Sequence, residues 1–176
     1  MNDVERPPHT APPGAQAAAA QTAQAAAPSV LRIGLASGAL ASLASTAALM
    51  LCGRRETGSY AAATNAISHW VWGDRALRRD GLTLRHTLLG YVIHHLSATF
   101  WAVFYERFLH RRDRTPVEVL RDAAITSAVA CTVDFKLTPH RLTPGYEHRL
   151  SRRSLAVVYA AFAVGLAAAA FVQKRH

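Results

Sequence analysis

The chain has 176 residues, of which 51% are apolar, and a formal net charge of +9. Lys136 and Lys174 are the only lysines, and arginines supply the other positive charges. The arginines flank apolar runs. This placement predicts contact with a lipid bilayer of anionic headgroups and excludes nucleic acid as the partner. Cys52 and Cys131, the only cysteines, lack the spacing of a disulfide framework or a zinc site.

The N-terminal segment, residues 1–29, consists mainly of Ala, Gln and Pro and has almost no large apolar side chain. Such a segment cannot bury enough apolar surface to offset the entropy lost on ordering. We therefore expect a disordered tail in front of the folded part of the chain.

Four apolar runs predict an all-α fold, a bundle of four transmembrane helices in one membrane domain that covers residues 30–176. Residues 33–53 and 154–173 contain no charged side chain, and roughly 20 apolar residues are enough for a helix to cross a hydrocarbon core of about 30 Å. The predicted helices cover residues 31–52, 86–109, 117–137 and 154–173.

Three small residues follow one another at intervals of four in the first predicted helix. Gly34, Gly38 and Ser42 therefore lie on one face of that helix. Small residues on one face let two helix backbones approach closely within a bilayer, so this face predicts close packing against a partner helix. The alternative is that the three residues reflect the general Ala and Gly content of the chain.

The connection between the first two predicted helices contains SYAAATNAISHWVWG, residues 59–73, which is too short and too polar to span a bilayer. Trp70 and Trp72 lie close to the basic sequence RALRRDG. Tryptophan beside arginine is typical of the headgroup region, so we expect this segment to lie there.

The second predicted helix contains GYVIHHLSATFWAVFYERFL, with two adjacent histidines. His94 and His95 cannot chelate an ion as a pair, because neighbouring side chains point about 100° apart around a helix. Glu106 lies about 16 Å from His95 along the helix axis, and no other membrane run contains a histidine. We therefore expect no metal and no haem or other cofactor, and favour a hydrogen bond between helices.

The third predicted helix has an uncharged stretch of only residues 123–133, so Asp122, Asp134 or both must lie below the interface or face protein. If the second and third helices are antiparallel, Asp134 lies beside Tyr91, His94 and His95. The contact would be a buried polar pair or a proton-binding site. The alternative is that Asp134 pairs with a basic residue at the membrane interface, such as Lys136.

At the other membrane face, a short charged turn, HRRDRTP, connects the second and third helices. Glu106 and Arg107 lie before this turn, and Arg121 and Asp122 lie after it. Alternating charges across a short turn predict an interfacial network of ion pairs that holds the two helices together.

The sequences FWAVFYE, residues 100–106, and DFKLTPHRLTPGYE, residues 134–147, lie among four apolar runs. This combination resembles a group of small bacterial integral membrane proteins of unknown function, some of which carry the automatic label sodium:proline symporter. The arrangement is also similar to small inner-membrane proteins linked to acid resistance. The resemblance implies a multi-pass protein of the inner membrane and supplies no catalytic residues. Symporters of that type have repeated multi-helix halves, so four helices would hold such a site only in an oligomer.

No phosphate loop, no nucleophile elbow and no zinc-protease motif occurs in the chain. We therefore predict a protein that is not an enzyme, a helix-packing or interaction module in envelope or stress physiology. The alternative function is a small homo-oligomeric transporter or channel, coupled to protons or a cation, that uses Asp134 with His94 or His95.

Overall fold

A computed structural model describes residues 30–109 and 114–173, without the side chain of Leu109. The predicted tail at residues 1–29 lies outside the described residues. So do residues 110–113 of the charged turn.

The described part of the chain is entirely helical and contains no strand, which confirms the all-α class. It has six α-helices: α1, Val30–Thr57; α2, Ala62–Ile67; α3, His69–Trp72; α4, Leu89–Phe104; α5, Pro116–Thr132; and α6, Arg152–Gln173. π-Helical turns extend the second and third long segments: Leu84–Leu88 before α4, Tyr105–Leu109 after it, and Val133–Leu137 after α5. Short 3₁₀-helices occupy the connections: Gly73–Arg78, His140–Leu142 and Tyr146–His148.

Three of these helical segments are long and apolar enough to cross a membrane: Val30–Thr57, Leu84–Phe108 and Arg152–Gln173. Helix α5 is not among them, since it has 17 residues and carries three charged side chains in its first two turns. By length and composition alone, the described residues therefore contain three helical segments that could cross a membrane.

Helix α1 packs against both α4 and α6, and α5 packs against α6. Glycines allow both contacts of α1. A Cβ atom at Gly38 would lie 2.6 Å from the Thr99 Cα of α4, and one at Gly165 of α6 would lie 2.5 Å from the Ala41 Cα of α1. The backbones of α1, α4 and α6 therefore touch, as small residues permit in a bilayer.

Two helix N-termini are capped in different ways. Thr115 and Glu118 form a capping box at α5, in which Thr115 Oγ1 accepts from the Glu118 N–H at 3.3 Å and Glu118 Oε2 accepts from the Thr115 N–H at 2.8 Å. Helix α6 is capped from another helix: Glu56, near the end of α1, accepts from the Ser151 N–H at 2.6 Å and from its hydroxyl at 2.7 Å. The α1 and α6 ends are thereby fixed together.

Helix α2, within residues 59–73, has all of its residues buried inside the protein, and its position in the headgroup region stays a prediction. Its alanines let it approach α4 closely, where Gly90 has no space for a Cβ beside the Thr64 carbonyl. The Asn65 side-chain amide donates to the Arg79 and Gly81 carbonyls at 2.9 and 2.8 Å, which satisfies the buried polar group.

The connection between α1 and α4 and the connection between α5 and α6 meet beside α2. His69 Nε2 and Trp70 Nε1 both contact the Thr143 carbonyl oxygen, at 2.8 and 2.7 Å. Gly145 has φ 87°, a backbone conformation that favours glycine. A Cβ there would also lie 2.6 Å from the Ala66 carbonyl oxygen, so the lack of space is a second reason for glycine at this position. The connections therefore form a packed cap, which consists of residues 58–83 and 138–151.

Candidate functional site

A cavity of about 410 Å³ lies under the cap, between α4 and α5. Its polar walls come from six residues: Ser45, His94, Ser97, Asp134, Thr138 and Tyr146. Its other walls are mainly apolar and aromatic, and they include Trp101 of α4 and Tyr159 of α6. Helices α4 and α5 share few contacts except near Tyr105–Leu109, at the opposite end of the bundle, so the space between them stays open.

His94 contributes an imidazole that is fixed from α1. Ser45 Oγ and His94 Nε2 are 2.8 Å apart, and Ser45 Oγ also donates to the Ala41 carbonyl at 2.8 Å. Ser45 Oγ and His94 Nε2 therefore share one hydrogen bond, whose direction is set by the His94 tautomer. This hydrogen bond orients the ring and engages its Nε2 atom.

Asp134 ends a chain of three hydrogen-bonded side chains from the cap, α6 and the π-helical turn after α5. The Tyr146 hydroxyl donates to the Tyr159 hydroxyl at 3.1 Å, and the Tyr159 hydroxyl donates to Asp134 Oδ2 at 2.5 Å. Burial raises the pKa of Tyr146, and the nearby Asp134 carboxylate raises it further. Its hydroxyl therefore stays protonated and remains a donor.

The histidine and the carboxylate line the same cavity but do not touch. The ring centroids of His94 and Tyr146 are 6.5 Å apart in an edge-to-face arrangement, so Tyr146 connects the two groups. Asp134 makes no hydrogen bond or salt bridge with Tyr91, His94, His95 or Lys136 within the described residues.

The predicted direct contact between Asp134 and the second helix is therefore wrong. The physical reason is that α4 and α5 diverge toward the cap, so that α6 and α1 supply the partners, Tyr159 and Ser45. Neither hydroxyl was singled out by sequence reasoning. Tyr159 could have been found, because it is a tyrosine inside an otherwise uncharged membrane run, where a hydroxyl requires a partner.

His95 and Tyr91 face a different part of the protein and do not line the cavity. Their ring centroids lie 5.7 Å apart along α4. His95 Nδ1 is buried and has no hydrogen-bond partner among the described residues. Of the four residues grouped by the sequence, the cavity therefore brings together His94 and Asp134 only.

The charged residues at the opposite end divide into separate contacts. Arg121 Nε lies 3.1 Å from Asp122 Oδ1, and Arg114 also pairs with this buried carboxylate. Glu106 is buried and accepts a hydrogen bond from Ser37 Oγ of α1 at 2.5 Å. The Arg107 guanidinium lies over the Phe108 ring, 5.4 Å from its centroid.

The small residues of α1 lie where the helices are closest. Gly34 and Gly38 face Val103 and Thr99 of α4, and the Ser42 side chain is fully buried. These residues form a packing seam, and none of them lines the cavity.

The cavity offers hydrogen bonds, aromatic surface and one carboxylate. Within residues 30–109 and 114–173, no three His, Cys, Asp or Glu side chains converge closely enough to hold a metal ion. The arrangement can bind a small molecule by its polar end and enclose the apolar remainder.

Comparison of the chain with protein-family models, with curated proteins and with solved structures yields no match.

Proposed function

We propose that the chain is a multi-pass protein of the inner membrane with four crossings, and that it is a non-enzymatic interaction module which binds a small lipophilic molecule. The observation that carries the proposal is the cavity of about 410 Å³ between α4 and α5. Ligand sites in proteins have volumes of about 300 to 1,000 Å³, with mostly apolar walls and a few polar groups that orient the ligand. The cavity fits this description in size and in lining.

The fourth crossing is α5. Its 17 residues and the 5 residues of the π-helical turn that follows give a length that spans a hydrocarbon core of about 30 Å at about 1.5 Å per residue. Leu120, Ile125 and Val129 are exposed along this helix, which suits contact with lipid. The Asp122 carboxylate is buried and paired with Arg114, so its charge does not face the acyl chains.

The bilayer itself gives access to the cavity. Leu96 and Phe100 of α4 line it and are nevertheless 63% and 64% exposed on the outer surface of the bundle. These two side chains therefore lie at a lateral opening between α4 and α5. A ligand that partitions into lipid reaches the opening directly from the acyl chains.

Fluorescence quenching tests the binding function. The chain has three tryptophans, of which Trp70 and Trp101 line the cavity and Trp72 does not. In a Trp72→Phe background in nanodiscs, para-bromobenzyl alcohol should quench the remaining fluorescence with a saturable component. Ser97→Phe, which places a ring in the cavity, should remove that component.

The matched control is Val164→Phe, which adds a ring at a residue of α6 that is 62% exposed and outside the cavity. It should leave the saturable quenching unchanged. Quenching that rises linearly with probe concentration in the wild type, or that survives Ser97→Phe, would show simple partitioning into lipid and would refute the proposal.

A second candidate function is coupled transport of protons or a cation, in a homo-oligomer. The hydrogen-bonded chain Tyr146–Tyr159–Asp134 favours it, because such chains in membranes conduct or bind protons. In sealed vesicles with an imposed potential, transport would acidify or alkalinise the interior with wild-type protein and not with Asp134→Asn. Equal internal pH traces for the two proteins would leave ligand binding as the function.

A further inference from the structure

The charge of the cavity differs from that of the chain. The protein has 20 Lys and Arg residues and a formal net charge of +9, yet none of those that the structure describes lines the cavity. Among the described lining residues, Asp134 alone has a carboxylate. From this difference we infer that the ligand is a lipophilic organic cation, an inference that rests on the proposed binding function and specifies its ligand.

One oxygen of the Asp134 carboxylate is available to a ligand. Asp134 Oδ2 accepts from the Tyr159 hydroxyl at 2.5 Å, and Oδ1 has no hydrogen-bond partner among the described residues. The second hydrogen bond in the chain, from Tyr146 to Tyr159, keeps the Tyr159 proton directed at Asp134. One oxygen is therefore held in place while the other is free for a cationic group in the cavity.

Aromatic rings complete a surface that suits a cation. Six aromatic side chains line the cavity: Trp70, Phe100, Trp101, Tyr146, Tyr159 and Phe162. The face of an aromatic ring attracts a cation within about 6 Å of the ring centroid, and it does so most strongly where water is excluded. Rings of this kind together with one carboxylate suit organic ammonium and phosphonium ions.

Among the described residues, no cationic side chain lines the same space to pair with an anion. The other polar groups of the wall are hydroxyls, indole N–H groups and the His94 imidazole, whose Nε2 contacts Ser45 Oγ. Two arginines make contacts elsewhere: the Arg85 guanidinium lies 4.1 Å from the centroid of a Trp72 ring, and Arg149 pairs with Asp80. The cavity thus selects for positive charge within a positively charged protein.

The test uses two ions of nearly equal shape and opposite charge, tetraphenylphosphonium and tetraphenylborate. Binding of each radiolabelled ion to the full chain in nanodiscs of neutral lipid is measured by equilibrium dialysis. The concentration of each ion in the bilayer is measured with empty nanodiscs, and the affinities are calculated from that concentration. A difference between the two ions in partitioning into lipid then does not affect the comparison. Wild type should bind the cation saturably and at least about tenfold more tightly than the anion, as expected for a partly buried charge pair.

The test variant is Asp134→Asn, which keeps an oxygen to accept from Tyr159 and removes the charge. It should bind the cation at least about tenfold more weakly than wild type and still show saturable quenching by para-bromobenzyl alcohol. The control is Asp74→Asn, which removes an exposed carboxylate outside the cavity and should bind both ions as wild type does.

The outcomes separate the two proposals. Equal or tighter binding of the anion, or unchanged cation binding by Asp134→Asn, overturns the inference about charge. If neither ion binds but the neutral alcohol still quenches saturably, the inference falls and the proposed function stands. If the alcohol also fails to saturate, the proposed function falls and the inference falls with it.

Discussion

The two sides of the helix bundle differ in how closely their helices pack. On one side, α1 touches α4 and α6 through glycines, and a Cβ at Gly38 would lie 2.6 Å from the Thr99 backbone. On the other side, α4 and α5 diverge and leave a cavity of about 410 Å³. The first region has no space for a methyl group, and the second has space for a small molecule.

The difference follows from where the small residues lie. Backbone contact on the α1 side brings three helices together, and the large side chains of α4 then point outward or into the cavity, as Phe100 and Trp101 do. Polar side chains occur on both sides, but in the cavity they have space beside them. Close packing therefore stabilises the fold on one side, and incomplete packing provides the site on the other.

The largest effect is expected from breaking the tight side. Gly38→Val should destabilise the protein by about 3 kcal/mol, because the added atoms force α1 and α4 apart. Unfolding in a series of denaturing detergent mixtures measures the change. Ala36→Val, at an exposed position of the same helix, should change stability by less than about 0.5 kcal/mol. Equal effects for the two variants would show that the α1–α4 contact is not close.

A smaller loss is expected from breaking the polar chain beside the cavity. Tyr159→Phe leaves Asp134 Oδ2 without its donor and Tyr146 without its acceptor, which should cost about 2 kcal/mol. Tyr91→Phe is the matched control, since the Tyr91 hydroxyl has no hydrogen bond among the described residues. The same unfolding assay compares them, and a neutral Tyr159→Phe would contradict the hydrogen-bonded chain.

Glu56 of α1 caps the N-terminus of α6, and the loss of this N-cap should destabilise the protein less than Tyr159→Phe does. Glu56→Gln weakens the acceptor of the Ser151 N–H and should cost about 1 kcal/mol, as expected for an N-cap. Hydrogen exchange at the first turn of α6 should increase in the variant and stay unchanged in Asp74→Asn. Unchanged exchange in both variants would argue against capping across helices.

The smallest effect is expected from filling the open side. Ser97→Phe adds more volume than Gly38→Val, yet it should change the free energy of unfolding by less than about 1 kcal/mol, because the ring enters existing space. The midpoint of unfolding in denaturing detergent is measured for Ser97→Phe and compared with the midpoint for Val164→Phe. A loss as large as that of Gly38→Val would mean that the space beside Ser97 is already filled.

Local patterns predicted the helices and one of the contacts between them. The apolar runs predicted the all-α class, which is confirmed, and the spacing of Gly34 and Gly38 predicted a close helix contact, which α1 and α4 make. The burial of α2 was not apparent from the sequence, because its alanines and Asn65 fit inside the protein as well as at a headgroup surface.

The site shows a different limit of sequence reasoning. His94 and Asp134 stand out in the sequence because ionisable residues are rare in membrane helices. Their partners, Ser45 and Tyr159, are common residues whose role depends on which helices pack together. The divergence of α4 and α5 is set by the α1–α4 and α1–α6 contacts, so no pattern within α4 or α5 predicts the cavity between them.

Photo-crosslinking in nanodiscs tests most directly whether a lipophilic molecule occupies this cavity. A diazirine-bearing benzyl alcohol is activated in the bilayer, and mass spectrometry locates the labelled residues. We predict labels concentrated on cavity residues of α4, α5 and α6, such as Trp101, Ala130 and Val158, with loss of those labels in Ser97→Phe. Labels spread evenly over the lipid-facing side chains of α1 and α6, such as Leu35 and Val164, would contradict the account.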